Sequence, residues 1–196
     1  MKRITFIILI VLPIFSCEKS DKTDYEEEIK ELVYGRVVSV DNEASIERTE
    51  KTAAYLEKEL GVPVRIIKGS DYASVIEAMK TGKVDFAITG AFSYSIAAAK
   101  AGAESLVTTA YTKTGAINYA GSMIFTSSKS GITSIEQVIA NPQNYTIAFA
   151  DPASTSGYLY PSSYLRSRGI VPSEDMKQTL FAGGHTAGTF SCLSQK

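Results

Sequence analysis

Ser154, Thr155 and Ser156 stand side by side, followed by Gly157, just after an apolar run that ends at Phe149-Ala150. Three hydroxyls and a glycine, where a strand gives way to a helix, make a donor set for an anion. The first turn of a helix leaves backbone N–H groups without an internal acceptor. The helix dipole adds partial positive charge at the same place. The hydroxyls supply further donors, and glycine lets a ligand approach the backbone. Neutral donors of this kind could hold a tetrahedral oxyanion. The same residues also fit a plain N-cap by one Ser or Thr. Three hydroxyls and a glycine exceed what a cap requires, yet spacing alone leaves both readings open.

A serine in such a turn could instead be a nucleophile for acyl or phosphoryl transfer. That chemistry calls for a general base beside the serine, and in one common architecture for a Gly-x-Ser-x-Gly elbow. The run Ala153-Ser154-Thr155-Ser156-Gly157 offers no such elbow, and no base stands beside it in sequence. Cys17 and Cys192 are the two cysteines, and no His/Cys group has metal-ligand spacing. No metal, cofactor or enzymatic activity is therefore expected. A net charge of -1 is far from the basic excess of nucleic-acid binders. A small anion needs only local donors, so it stays compatible with that charge.

The elements that must position these residues alternate in type. Leu32 to Val40 is Val-rich and strand-like. Ile46 to Leu60 carries apolar residues at helical spacing and stops at Gly61. Val62 to Ile67 reads as a strand, Asp71 as the cap of a helix running to Lys80, and Val84 to Ile88 as a strand. Phe92 to Ala101 is Ala-rich and helical, and Leu106 to Tyr111 is strand-like. Ser122 to Thr126 is strand-like, Thr133 to Ile139 helical, and Tyr145 to Ala150 a strand. Ser156 to Arg168 follows as a helix, Thr179 to Ala182 as a strand, and Ser191 to Lys196 as a helix. Short strands alternating with helices predict an α/β fold with largely parallel sheet covered on both faces. With 44% hydrophobic residues the chain can build a packed core.

The run Asp151-Pro152-Ala153-Ser154-Thr155-Ser156-Gly157-Tyr158, with Pro161 after it, resembles the signature of the phosphate/phosphite/phosphonate-binding proteins of ABC importers, the PhnD-like family. Tyr72 to Gly82 with Val84-Asp85 resembles the family's first-lobe helix and the strand after it. Gly90-Ala91-Phe92-Ser93-Tyr94 resembles its Gly-Pro-x-x-Tyr loop, with Ala91 in the proline's place. Phe181-Ala182-Gly183-Gly184-His185 resembles its Gly-Gly/Ser-His segment. The resemblance covers nearly everything after residue 32. It implies a type II periplasmic-binding-protein fold, two α/β lobes joined by a hinge. On that pattern residues 32–121 form lobe 1, 122–126 a crossover strand and 127–196 lobe 2. Ser154, Thr155, Ser156 and Gly157 would hold the phosphorus oxygens. His185 would approach them from the second lobe, and Tyr72 and Tyr94 from the first. Thr186 stands where the family often has Asp, which weakens the case for an amino-substituted ligand. The family pattern continues beyond the position of Lys196, so the chain reads as the N-terminal part of a longer protein or a truncated product, with both lobes incomplete.

Lys2 and Arg3 precede an apolar run from Ile4 to Phe15, which ends at Ser16-Cys17. A basic start, an apolar middle too short for a membrane span and a small residue before the cut describe a secretory leader over residues 1–16. Ile14-Phe15-Ser16-Cys17 resembles a lipobox, which makes Cys17 the lipidated N-terminus of the mature chain. Residues 17–31 then form a polar tether. The expected protein is an exported, lipid-anchored, monomeric binding protein in the periplasm or on the outer side of the cytoplasmic membrane. Its partners are a small phosphorus oxyanion and an ABC permease, and its only membrane contact is the lipid. A sensory domain of the same fold, or a non-functional fragment, are the other readings.

Overall fold

The computed structural model describes residues 29–37, 43–108, 110, 113–115 and 121–194. The leader, Cys17 and the tether as far as residue 28 lie outside these residues, as does 116–120 near the expected lobe boundary.

The chain builds two separate parallel sheets. In the first, β1 (Leu32–Val37) lies between β2 (Val64–Gly69) and β3 (Phe86–Ala87). The register runs from Leu32↔Val64 to Val37↔Gly69 on one side and through Tyr34↔Phe86 on the other. α1 (Glu43–Leu60) follows β1, α2 (Tyr72–Lys80) follows β2 and α3 (Ala91–Ala101) follows β3.

Alternation along β1 decides what each face meets. Tyr34 and Arg36 share a face and are buried. Tyr34 stacks on Phe86 at 4.8 Å, and Arg36 donates to Ser45 of α1 at 3.4 Å. Burial pushes the Tyr34 hydroxyl above its usual pKa, while a bond with Thr49 of α1 and the charge of Arg36 pull the other way. Gly35 faces the opposite side, where Val75 of α2 and Val84 crowd the backbone. A Cβ there would lie 2.7 Å from Val84 Cγ1 and 3.0 Å from Val75 Cγ1. Helices thus cover both faces, as the sequence pattern predicts for a parallel sheet.

The second sheet pairs β4 (Thr146–Phe149) with β5 (Gln178–Phe181) from Thr146↔Gln178 to Phe149↔Phe181. Before it comes α4 (Ile135–Ala140), capped by the Ser134 hydroxyl. Between its strands run a π turn (Thr155–Leu159), α5 (Tyr160–Ser167) and the one-turn α6 (Pro172–Asp175). α7 (His185–Ser194) follows β5. Phe149, Tyr158 and Phe181 form an aromatic cluster with centroids 5.1–5.9 Å apart, and Phe149 and Leu165 are almost fully buried.

Two expected strands are not formed over their described residues; of Leu106 to Tyr111, residues 109 and 111 lie outside the described residues and Ala110 makes a single bridge. Leu106 and Val107 are 82% and 90% exposed and lie in no strand. The crossover segment Ser122 to Thr126 also lies in no strand, and Met123 is 83% exposed. Apolar runs become strands only where a neighbouring strand takes their N–H and C=O groups. Among the described residues no strand does so. α7 also starts earlier than the helix read at Ser191, because Gly183-Gly184 ends β5 and frees His185 to open it. Among the described residues, no helix is long and apolar enough to cross a membrane.

Candidate functional site

The turn after β4 is built by Asp151 and Pro152. The buried Asp151 carboxylate accepts the Ala153 N–H at 2.7 Å, and its carbonyl accepts the Ser154 N–H at 3.0 Å. This is side-chain mimicry of a backbone turn, which Asp followed by Pro favours. Ser154 is thereby set as the N-cap, and its hydroxyl accepts the Gly157 N–H at 3.0 Å.

The helix then opens as a π turn, and Pro161 accounts for it. Proline has no N–H, so it cannot bond the carbonyl four residues back, that of Gly157. That carbonyl instead accepts the Ala150 N–H from the end of β4 at 3.0 Å. The first turn widens to i→i+5 bonds, with Leu159 N–H on the Ser154 carbonyl at 3.0 Å and Tyr160 N–H on the Thr155 carbonyl. Strand and helix are thus stitched together at the donor turn.

Gly157 is required by this closeness. A Cβ on it would stand 2.4 Å from Ala150 Cβ, 2.9 Å from Ser154 Oγ and 3.1 Å from His185 Cε1. The last contact places the exposed His185 ring beside the turn. Ser154, Thr155, Gly157 and His185 therefore lie together around this turn. Ser154 and Thr155 are buried, while Ser156 and Gly157 are half-buried.

The first α/β unit reaches this turn through backbone. The Phe92 N–H donates to Thr155 Oγ1 at 2.8 Å, and a Cβ on Gly90 would lie 2.9 Å from the same oxygen. Ser122 donates to the Ser156 carbonyl at 2.6 Å. Tyr94 lies in the first turn of α3 and is 37% exposed, and Tyr72 is the half-buried first residue of α2. Gly90, Phe92, Ser122 and Asp151 are site residues that donor chemistry alone did not single out. Asp-Pro was a readable turn signal, but a backbone N–H meeting a residue 63 positions away leaves no side-chain trace in sequence.

Ser156, Gly157 and His185 also line a groove of about 1100 Å³, which Met123, Phe125 and Leu180 share. One tetrahedral oxyanion would fill a small part of it, so the anion reading rests on the donor turn and not on this groove. Among the described residues no group of His, Cys, Asp and Glu is placed to hold a metal ion.

Residues 35–193 match the family described as the ABC transporter, phosphonate, periplasmic substrate-binding protein. The chain is 29% identical over 187 residues to the phosphate-import protein PhnD of Mycolicibacterium smegmatis, covering 90% of this chain and 57% of that protein. It is 30% identical over 162 residues to the phosphonates-binding periplasmic protein of Escherichia coli, covering 82% of this chain and 47% of that one. The chain thus spans about half the length of these relatives. The binding protein component of an ABC phosphonate transporter from Pseudomonas aeruginosa superposes with a TM-score of 0.71 at 27% identity, over 83% of this chain and 53% of that one. PhnD1 from Prochlorococcus marinus, solved with methylphosphonate, shares the fold with a TM-score of 0.58 at 20% identity, over 81% of this chain and 58% of its own. Family members are binding proteins and not enzymes. With the fold, the donor turn and a match over most of its length in agreement, the chain belongs to the family of phosphonate periplasmic substrate-binding proteins of ABC transporters.

Proposed function

We propose that this protein captures a phosphorus oxyanion outside the cell, as a phosphonate, phosphite or phosphate, and delivers it to an ABC permease. The observation that carries this reading is the turn at Ser154–Gly157, where a helix starts on three consecutive hydroxyl residues and His185 Cε1 lies beside Gly157. The Ser154 oxygen accepts a backbone N–H, so its own proton is left for a ligand. Thr155 is in the same state. Ser156 adds a third hydroxyl, Gly157 lets the anion approach the backbone, and His185 faces it from the side. Tyr72 and Tyr94 close on it from the first lobe. All of these groups donate or orient, and none attacks, so the protein binds without converting its ligand.

Export places it where such a ligand arrives. Lipidation at Cys17, with residues 17–31 as tether, would hold a monomer near its permease; Cys17→Ala should leave an unprocessed precursor that carries no lipid.

Calorimetry with methylphosphonate, phosphite and phosphate tests the reading. Ser154→Ala, Thr155→Val and Ser156→Ala should each weaken binding by about tenfold, since one hydrogen bond to a charged ligand contributes about 1.5–3 kcal/mol. Affinity unchanged from the unmodified protein in all three variants, or no heat with any of the anions, refutes it.

A further inference from the structure

We infer that Thr155 serves as the N-terminal cap of α3, supplied from the opposite α/β unit, and that the Phe92 amide thereby positions the Thr155 hydroxyl. The first turn of a helix has N–H groups that need acceptors, and a Ser, Thr, Asp or Asn side chain at the N-cap ordinarily supplies one. α3 has Gly90 at that place, with no side-chain cap. Its Phe92 N–H takes Thr155 Oγ1 instead, at 2.8 Å and 63 residues distant. The acceptor is buried, with Thr155 only 4% exposed.

Gly90 makes the arrangement possible. Its missing Cβ would stand 2.9 Å from Thr155 Oγ1 and 3.7 Å from Ser93 Oγ, so any side chain there would push the threonine oxygen off the helix end. A self-supplied Ser or Asp cap is therefore excluded by the same packing that brings Thr155 in.

The consequence concerns the Thr155 proton. One lone pair of Oγ1 is occupied by the amide, and among the described residues no acceptor takes its proton. The amide thus leaves the hydroxyl proton free to donate, on the same turn as Ser154 and Ser156. An oxyanion accepting that proton makes the oxygen a better acceptor for Phe92, because hydrogen bonds in a chain polarise one another. Capping of α3 and ligand binding strengthen each other, which ties the first unit to the donor turn when the site is filled. This second step rests on the oxyanion reading; the capping itself does not.

Amide exchange at Phe92, measured in the full chain by NMR, tests both steps. Thr155→Val removes the acceptor and should speed Phe92 exchange by about tenfold, the loss expected for one hydrogen bond. Thr155→Ser keeps the oxygen and should keep the slow exchange. Gly90→Ala leaves Thr155 intact but displaces it, and should also speed exchange, which covers the case in which Thr155→Val does not fold. Unchanged Phe92 exchange in Thr155→Val, or in Gly90→Ala if the first variant does not fold, overturns the capping. Methylphosphonate should slow Phe92 exchange further in the unmodified chain and not in Thr155→Val. If no oxyanion binds while Thr155→Val still speeds exchange, the capping stands and the functional reading falls. If methylphosphonate binds and Phe92 is indifferent to Thr155, the capping falls and the functional reading stands.

Discussion

Gly157 and Ala150 meet back to back at the junction of strand and helix: the Ala150 N–H donates to the Gly157 carbonyl at 3.0 Å, and a Cβ on Gly157 would stand 2.4 Å from that of Ala150. Neither backbone can retreat without breaking that bond. Gly157→Ala should therefore cost about 1–3 kcal/mol, the usual penalty for overpacking. Adding Ala150→Gly removes the opposing methyl and should restore part of the loss, while the contacts with Ser154 Oγ and His185 Cε1 remain crowded. Urea unfolding of the single and double variants measures both. A double variant no more stable than Gly157→Ala would show that the Ala150 contact is not the cause.

Tyr72 depends on the cap in front of it. Asp71 accepts the Ser74 N–H at 2.7 Å and Ser74 Oγ accepts the Asp71 N–H at 3.2 Å, a reciprocal capping box that starts α2 at Tyr72. The Ser74 amide holds the Asp71 carboxyl below its ordinary pKa; burial opposes this, and the Ser74 and Ser70 hydroxyls assist. A carboxyl lowered by folding stabilises the protein above its unfolded pKa, and that contribution is lost as the pH falls through the folded value. Asp71→Asn keeps an acceptor but does not titrate. The stability difference between the two proteins should shrink as urea midpoints are taken from about pH 7 to about pH 3. The effect is small because the group is only half-buried and solvent screens its charge. A difference that grows on acidification would contradict the sign.

Much of this architecture was legible because it is written locally. Asp71, and Thr133 or Ser134, announce helix starts, and Asp71 and Ser134 are caps in the structure. Gly61 and Gly102 announce helix stops, and both take positive φ, at 71° and 66°. The strands at Val64–Gly69, Thr146–Phe149 and Gln178–Phe181 fall within a residue or two of their apolar runs. The errors arose where the outcome depends on a distant partner. Leu106-Val107 and Met123 to Phe125 have the composition of strands, but pairing is not encoded in the segment that pairs.

The site divides in the same way. Three hydroxyls before Gly157 read from sequence alone as either a donor turn for an anion or a plain N-cap, and the family resemblance favours the first and adds His185. The π turn did not show itself, because it follows from Pro161 withholding an N–H and Ala150 supplying one. The approach of Phe92 to Thr155 was equally hidden: it uses an amide that every non-proline residue has, and only Gly90 hints at the crowding. Tyr72 and Tyr94 came from resemblance and not from their surroundings in sequence.

Ser156→Asp separates the stability of the turn from its capacity for anions. Ser156 is the second residue of the helical run and half-buried, so a new carboxylate has access to water. A negative charge in the first turn of a helix is favourable, by about 0.3–1 kcal/mol, because it faces the positive end of the dipole and unmatched N–H groups. The folded state should be as stable as before or slightly more so. The same carboxylate occupies the place proposed for a phosphorus oxygen and repels a second anion. Methylphosphonate should then give no heat in calorimetry and no rise in Tm, although the protein melts no lower than the unmodified chain without ligand. Ser156→Asn, of similar size and without charge, should bind more weakly than serine but measurably. If the Asp variant binds as well as the Asn variant, the anion does not sit at this helix end, and the donor turn is a cap and nothing more.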